Sequence, residues 1–381
     1  NLLCFKKAYH KQLIFTFHLN QYSTIRKRIN ALYPGQPKGN FARHLNTLAG
    51  FISGIVGSKS VNLPKVASAV PAGCKTASLE KRLTRFVKNK NIDLEQYFLP
   101  FAKELLQNLP DGIMVFAIDG SVAGRGCITL MINVIFQGRS LPIVWLVVKG
   151  KKGHLPENLH IKLVRQLKPL LPDGRQIVFL GDGEFDGVGL QETMSEFGWE
   201  YACRTGINIK MTWKGAEISC GEALPFIQID QYMDFDNVLF TREKYGPVRV
   251  ICYWKPGCKE PIFLVSNMES VEDACVLYSL RFRIETFFSD QKSRGFNLNK
   301  SHLSDPMRLS RLLIATCLAY IWIIYLGVVA KKGWVGIIHR TERCDLSLFQ
   351  LGLRLLEHFI NEGMKIPVSF TLCEGGQKSV R

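Results

Sequence analysis

A chain of 381 residues is long enough for two or three domains with ample core, and 47% apolar composition excludes wholesale disorder. A formal charge of +17, with a pI near 9.4, points to a polyanionic partner, nucleic acid before anionic membrane. Eleven cysteines without a Cys-x-x-Cys pair argue against a disulfide framework or zinc finger and for a reducing, cytoplasmic compartment. The first residues lack both a starting Met and a signal-peptide layout, so the true start is expected upstream.

Residues 1–56 are basic and mixed, and Tyr33 to Gly39 form a Pro/Gly-containing break. From Ser60, apolar residues at helical spacing (Leu63, Val66, Ala67, Val70) predict a helix stopped at Pro71. Ser78 reads as an N-cap for a second helix over 79–90. Its face of Leu79, Leu83, Phe86 and Val87 opposes one of Lys81, Arg85 and Lys88. That basic face suits DNA, and equally a solvated face on a bundle.

An α/β pattern follows. Ile113 to Ile118 is a continuous apolar run, typical of a strand buried on both faces, with Asp119 directly after it. Cys127 to Phe136 and Leu141 to Val148 predict two further strands around a turn at Gln137-Gly138. The basic loop Lys149 to Gly153, with Lys151 and Lys152, precedes a helix over 156–170. A fourth strand at 177–180 ends in Gly181-Asp182-Gly183, and a helix and a fifth strand at 199–203 follow. Residues 205–268 alternate in β fashion, and the chain after Gly295 is mostly helical. Leu312 to Ala330 carries no charge and is long enough to span a bilayer; the expectation is a buried core helix.

The stretch from Tyr278 to Lys292 carries the densest chemistry. As one continuous helix it places Tyr278, Arg281, Glu285 and Lys292 at about 0°, 300°, 340° and 320°. A carboxylate, two cations and a phenol then share a stripe beside a face of Ile284, Phe287 and Phe288. An ordinary i,i+4 pair on a wet helix face fits the same residues. Asp119 and Asp182 end strands expected to be neighbours, so both can meet Glu285 at one site. Three such carboxylates supply hard oxygens for Mg²⁺, with Mn²⁺ as a substitute. Alone, each Asp is more often a turn former or cap, and Glu184 and Asp186 are rival ligands beside Asp182. The Gly-rich turn lacks the spacing of a nucleotide-binding loop, and His154 and His160 read as structural or surface residues.

The spacing Tyr-x2-Arg-x3-Glu-x6-Lys, met by Tyr278, Arg281, Glu285 and Lys292, resembles the signature of bacterial insertion-sequence transposases of the DDE type. The resemblance covers roughly residues 60–330. It implies a ribonuclease H-like α/β fold: a mixed sheet of three antiparallel strands plus parallel strands, a β-rich insertion, and helical N- and C-terminal regions. It implies a DNA-end-binding region over 1–110, a core over 111–204 and 271–335 around an insertion at 205–270, and a helical C-terminal region over 336–381. Asp119, Asp182 and Glu285 would bind Mg²⁺, and Tyr278, Arg281 and Lys292 would hold DNA phosphates. Lys81, Arg85, Lys88, Lys151 and Lys152 would be further DNA contacts, and Trp213 or Trp254 would hold a flipped base. The partners would be transposon-end and target DNA, handled by a homodimer at the bacterial nucleoid with no membrane. A family member commonly has Asp-Thr or Asp-Ser at the first Asp and Asp-Arg-x-Phe at the second. This chain has Asp119-Gly120-Ser121 and Asp182-Gly183-Glu184-Phe185. Another metal-dependent nuclease on the same core, or a DNA-binding protein with a decayed site, remain rival readings.

Overall fold

The computed structural model describes residues 21–70, 74–150, 153, 155–339 and 345–372. Lys151, Lys152 and His154 fall outside these residues.

The first three strands, β1 (Met114–Ala123), β2 (Cys127–Phe136) and β3 (Arg139–Lys149), form an antiparallel meander. Gln137 and Gly138 close its second turn with φ of 43° and 75°, the positive angles a tight hairpin needs. Strands β4 (Ile177–Gly181) and β5 (Glu200–Thr205) then join parallel to β1. The crossover helices are α5 (Glu157–Leu167) and α6 (Val188–Glu196). The order β3-β2-β1-β4-β5 is the ribonuclease H-like mixed sheet expected from the sequence.

The strand-rich segment does not stand apart from that sheet. Its strands are β6 (Lys210–Trp213), β7 (Ala216–Ser219), β8 (Tyr232–Phe240), β9 (Tyr245–Tyr253) and β10 (Ile262–Ser266). Antiparallel pairing of β10 with β5 continues the sheet to ten strands, in the order β5-β10-β9-β8-β6-β7. The chain therefore returns to the core one strand away from β5, directly before the segment that carries Glu285.

A helical layer precedes the sheet: residues 21–31, then α1 (Gly39–Ser58), α2 (Leu63–Ala69), α3 (Thr76–Lys88) and α4 (Leu99–Gln107). Helix α3 begins at Thr76 with Lys75 as its cap residue, so Ser78 lies inside the first turn rather than capping it. After β10 come α7 (Val271–Tyr278), α8 (Arg283–Gln291), α9 (Pro306–Lys331) and α10 (Leu348–Asn361). Asp305 caps α9 by accepting from the Arg308 N–H, and Pro306 opens it.

Helix α9 contains the charge-free stretch from Leu312 to Ala330. Its length and composition would suffice to cross a bilayer, yet 89% of its most apolar stretch is buried inside the fold. It packs against β3, α1 and α10. Gly327 and Gly352 let α9 and α10 touch backbone to backbone, because a Cβ at Gly352 would collide with the Ile323 carbonyl. The buried Arg311 guanidinium donates to the carbonyls of Ile92 (2.8 Å) and Val87 (3.2 Å), tying α9 to the end of α3.

Candidate active site

The site starts from strand register. Ala117 of β1 lies opposite Leu180 of β4, so two residues further on Asp119 and Asp182 leave the two strands level with each other. Asp119 does not end its strand: β1 runs on to Ala123, paired beyond this point with β2 alone. Loss of the β4 neighbour opens one side of β1, and residues 119–121 turn from buried to half-buried.

A tight turn carries Asp182. A Cβ on Gly181 would lie 2.5 Å from the Phe185 Cβ and 3.2 Å from the Cys203 sulfur, so only glycine fits at the strand end. The Asp182 carboxylate accepts the Glu184 N–H at 3.1 Å. The rival ligands are engaged elsewhere. Glu184 accepts the Leu155 N–H at 2.5 Å and lies 3.6 Å from His160 Nε2. Asp186 accepts the Thr205 hydroxyl at 2.6 Å. Both stabilise the turn that presents Asp182.

The third carboxylate comes from a broken helix. Helix α7 stops at Tyr278, a 3₁₀ turn spans Ser279–Phe282, and α8 resumes at Arg283. The continuous helix expected from the sequence is therefore interrupted where the Ser279 hydroxyl donates to the Val276 carbonyl at 2.6 Å. Lys292 is the cap residue of α8, outside helical geometry, and its ammonium donates to Ser121 Oγ at 2.6 Å. The stripe is thus assembled by the turn and the cap instead of by one helical period. Buried Ile284, Phe287 and Phe288 seat α8 on the core, and Arg139 of β3 pins it by a 3.0 Å ion pair to Asp290. Burial pushes the Asp290 carboxyl up to about 6, against the pull of Arg139.

Glu285 and Asp119 meet through Arg281. Its guanidinium donates to Glu285 Oε1 at 2.8 Å and lies 3.9 Å from Asp119 Oδ2. Burial, then the charge of Asp182, raise the Asp119 carboxyl to about 7; Arg281 and the Gly120 N–H oppose this, and Glu285 adds to it. Asp119 therefore feels both other carboxylates. Burial works to lower Arg281, but Tyr278, Glu285 and Asp119 raise it overall. Tyr278 is raised by its own burial, with Arg281 and Arg204 pulling the other way.

The donor set suits a hard divalent cation: carboxylate oxygens only, one of them on an acid whose burial, then the charge of Asp182, raise it to about 7. Among the described residues no three side chains yet lie close enough to share one ion. The positive group between Asp119 and Glu285 is the Arg281 guanidinium, and it must give way before their oxygens can converge on a metal.

The remaining sequence candidates lie elsewhere. Lys81, Arg85 and Lys88 are exposed on α3. Trp213 ends β6, six strand positions from β1 in the sheet, roughly 29 Å at the usual spacing. It packs edge-on to Phe235 at 5.1 Å, with Lys214 over its ring at 4.4 Å. Trp254 follows β9 and donates its ring N–H to the Cys258 carbonyl at 3.0 Å. Sequence reasoning missed Ser121 as the partner of Lys292, Arg204 beside Tyr278, and the Arg139–Asp290 anchor. Each is a contact between distant segments, and only a Ser two residues beyond Asp119 was a visible hint.

A family model described as "Transposase DDE domain" matches residues 113–322, more than half of the chain. The chain belongs to this family. The transposase match takes in β1, β4 and α8, and with them all three carboxylates. No curated protein matches the chain. A solved structure described as a piggyBac transposase synaptic complex with hairpin DNA aligns with 96% of this chain and 82% of its own, at 14% identity and a TM-score of 0.47.

Proposed function

We propose that this transposase binds the terminal inverted repeats of an insertion sequence, cleaves the DNA strand there and joins it to target DNA. Asp119, Asp182 and Glu285 are the acidic set, with Mg²⁺, or Mn²⁺ in its place, as the cofactor. The observation that carries this reading is geometric: the register of β1 with β4 sets Asp119 level with Asp182, and Arg281 joins Glu285 (2.8 Å) to Asp119 (3.9 Å). Held by these carboxylates, the divalent ion would supply Lewis-acid activation of the attacking oxygen and charge stabilisation at phosphorus.

In the first reaction a water attacks the phosphodiester, the bond from phosphorus to the 3′-oxygen breaks, and that oxygen leaves as a 3′-hydroxyl. In the second, this hydroxyl attacks a target phosphodiester and a new bond from phosphorus to oxygen replaces the old one. Arg281 contacts Glu285 and Lys292 contacts Ser121 beside the acidic site, and together with Tyr278 they would steady the phosphate oxygens. Residues 1–110 form the end-binding region, and two copies act together, one per element end. The basic charge and the burial of α9 within the fold both favour a DNA partner over a membrane.

The test uses the DNA flanking the coding region. A duplex carrying its terminal repeat should be nicked in the presence of Mg²⁺ and joined to a plasmid target. Glu285→Gln should bind the duplex as well as the unmutated chain and fail to cut it. Nicking without joining identifies a nuclease, and binding without either identifies a decayed site. Cleavage by the variant removes Glu285 from the mechanism.

A further inference from the structure

Away from the carboxylates, α1 and α3 enclose a groove of about 490 Å³ between Asn40, Arg43, His44, Thr47, Arg82 and Arg85. This is the size of a site for a nucleotide-sized group. Among the described residues none of the three arginines is paired with a carboxylate. Among the described residues the Arg43 guanidinium donates to the neutral Asn40 Oδ1, at 3.2 Å.

Hydrogen bonds and ring contacts join the walls. His44 Nδ1 lies 2.7 Å from the Tyr97 hydroxyl, and the Asn89 amide donates to His44 Nε2 at 3.0 Å. Phe86 forms the floor, edge-on to Phe51 at 6.0 Å and to Tyr97 at 6.4 Å. Arg43, Arg82 and Arg85 are exposed at the rim. Three guanidinium groups from two helices thus converge on one opening with no acid to neutralise them.

We propose that this groove is a DNA-backbone site, in which Arg43, Arg82 and Arg85 bind phosphodiester groups of one strand. The inference rests on the DNA-handling function above and deepens it. It moves the principal grip of α3 from Lys81 and Lys88, which do not line the groove, to Arg82 and Arg85, which do. Planar guanidinium groups in a preformed cleft bind phosphate oxygens in pairs, which solvated lysines on a convex face do not.

The experiment is fluorescence anisotropy of the full chain with a labelled duplex of about 30 base pairs from the flanking DNA, across a salt series. Arg43→Gln and Arg82→Gln should each weaken binding about five- to tenfold and each reduce the slope of log affinity against log salt by about 0.9. Lys81→Gln should leave that slope unchanged. Arg82→Lys, which keeps the charge, should restore the slope and only part of the affinity, and unchanged thermal melting would show that each variant folds. Unaltered slopes in Arg43→Gln and Arg82→Gln overturn the proposal. So does competition by millimolar inorganic phosphate that Arg82→Gln abolishes while duplex affinity stays the same, since that describes a small-anion pocket. Mg²⁺-dependent nicking of the same duplex, lost in Glu285→Gln, is scored separately. Nicking with unaltered slopes sinks the groove alone, and reduced slopes without nicking sink the catalytic reading alone.

Discussion

The molecule holds two concentrations of charge that follow opposite rules. At the sheet, acids and bases neutralise one another: Arg281 bridges Glu285 and Asp119, and Arg139 holds Asp290. In the groove between α1 and α3, three arginines face an opening with no acid among the described residues that line it. A site whose charges are already paired must rearrange before it takes a ligand, whereas an unpaired basic cleft is ready. The difference fits a protein that captures DNA with one region and cuts it with the other.

The largest effect should come from Glu285→Gln. Cleavage should fall by about 10⁴-fold or more, the scale expected when one member of a catalytic unit is lost, while anisotropy reports unchanged affinity. Equal losses of binding and cleavage would erase the division between the two regions.

Stability should separate them next. The folded protein holds the Asp119 proton to about pH 7, against about 3.9 for an unfolded Asp. The folded state thus binds the proton more tightly. Its penalty is absent below about pH 4, grows as pH rises, and is complete above about pH 7. Asp119→Asn should therefore stabilise the free protein at pH 8, by at most about 4 kcal/mol, with no gain below pH 4. Thermal melting across that range checks it. Arg281→Gln removes the cation that opposes the shift and should move the transition to still higher pH. No pH-dependent difference between Asp119→Asn and the unmutated chain would disprove the coupling.

Salt gives a smaller contrast. Three phosphate contacts contribute a slope near −2.7, so a fourfold rise in salt should cost roughly 40-fold in DNA affinity through the groove alone. The partly buried pair of Arg281 and Glu285 is screened much less, so the pH transition of Asp119 should move little over the same series. At the bottom of the scale, Lys88→Gln on the outer face of α3 should weaken DNA by about twofold or less at physiological salt, where exposed lysines act only through a screened field. A larger loss would return the grip to the outer face.

The sequence exposed the elements whose signals are local. Period-two and continuous apolar runs located β1 to β5, Gly181 marked the turn at Asp182, and the spacing from Tyr278 to Lys292 marked the acidic helix with its cations. It also left traps. The angular stripe assumed an unbroken helix, but a hydroxyl-to-carbonyl bond at Ser279 tightens the chain there, and Lys292 reaches β1 from a cap position. Nothing local in the sequence singles out Arg82, because the groove exists only where Arg43, 39 residues earlier, lines it too.

Composition and periodicity by themselves determined a basic α/β protein and the apolar runs that lead to its acids, since these follow from apolar spacing and from charge; that α9 is buried was decided by its packing against β3, α1 and α10. Which carboxylates meet, which cation stands between them, and which arginines go unpaired were decided by tertiary structure. Those are relations between segments far apart in the chain: the parallel register of β1 with β4 sets Asp119 level with Asp182, the broken helix puts Arg281 against Glu285 and Asp119, and the packing of α1 against α3 forms the groove.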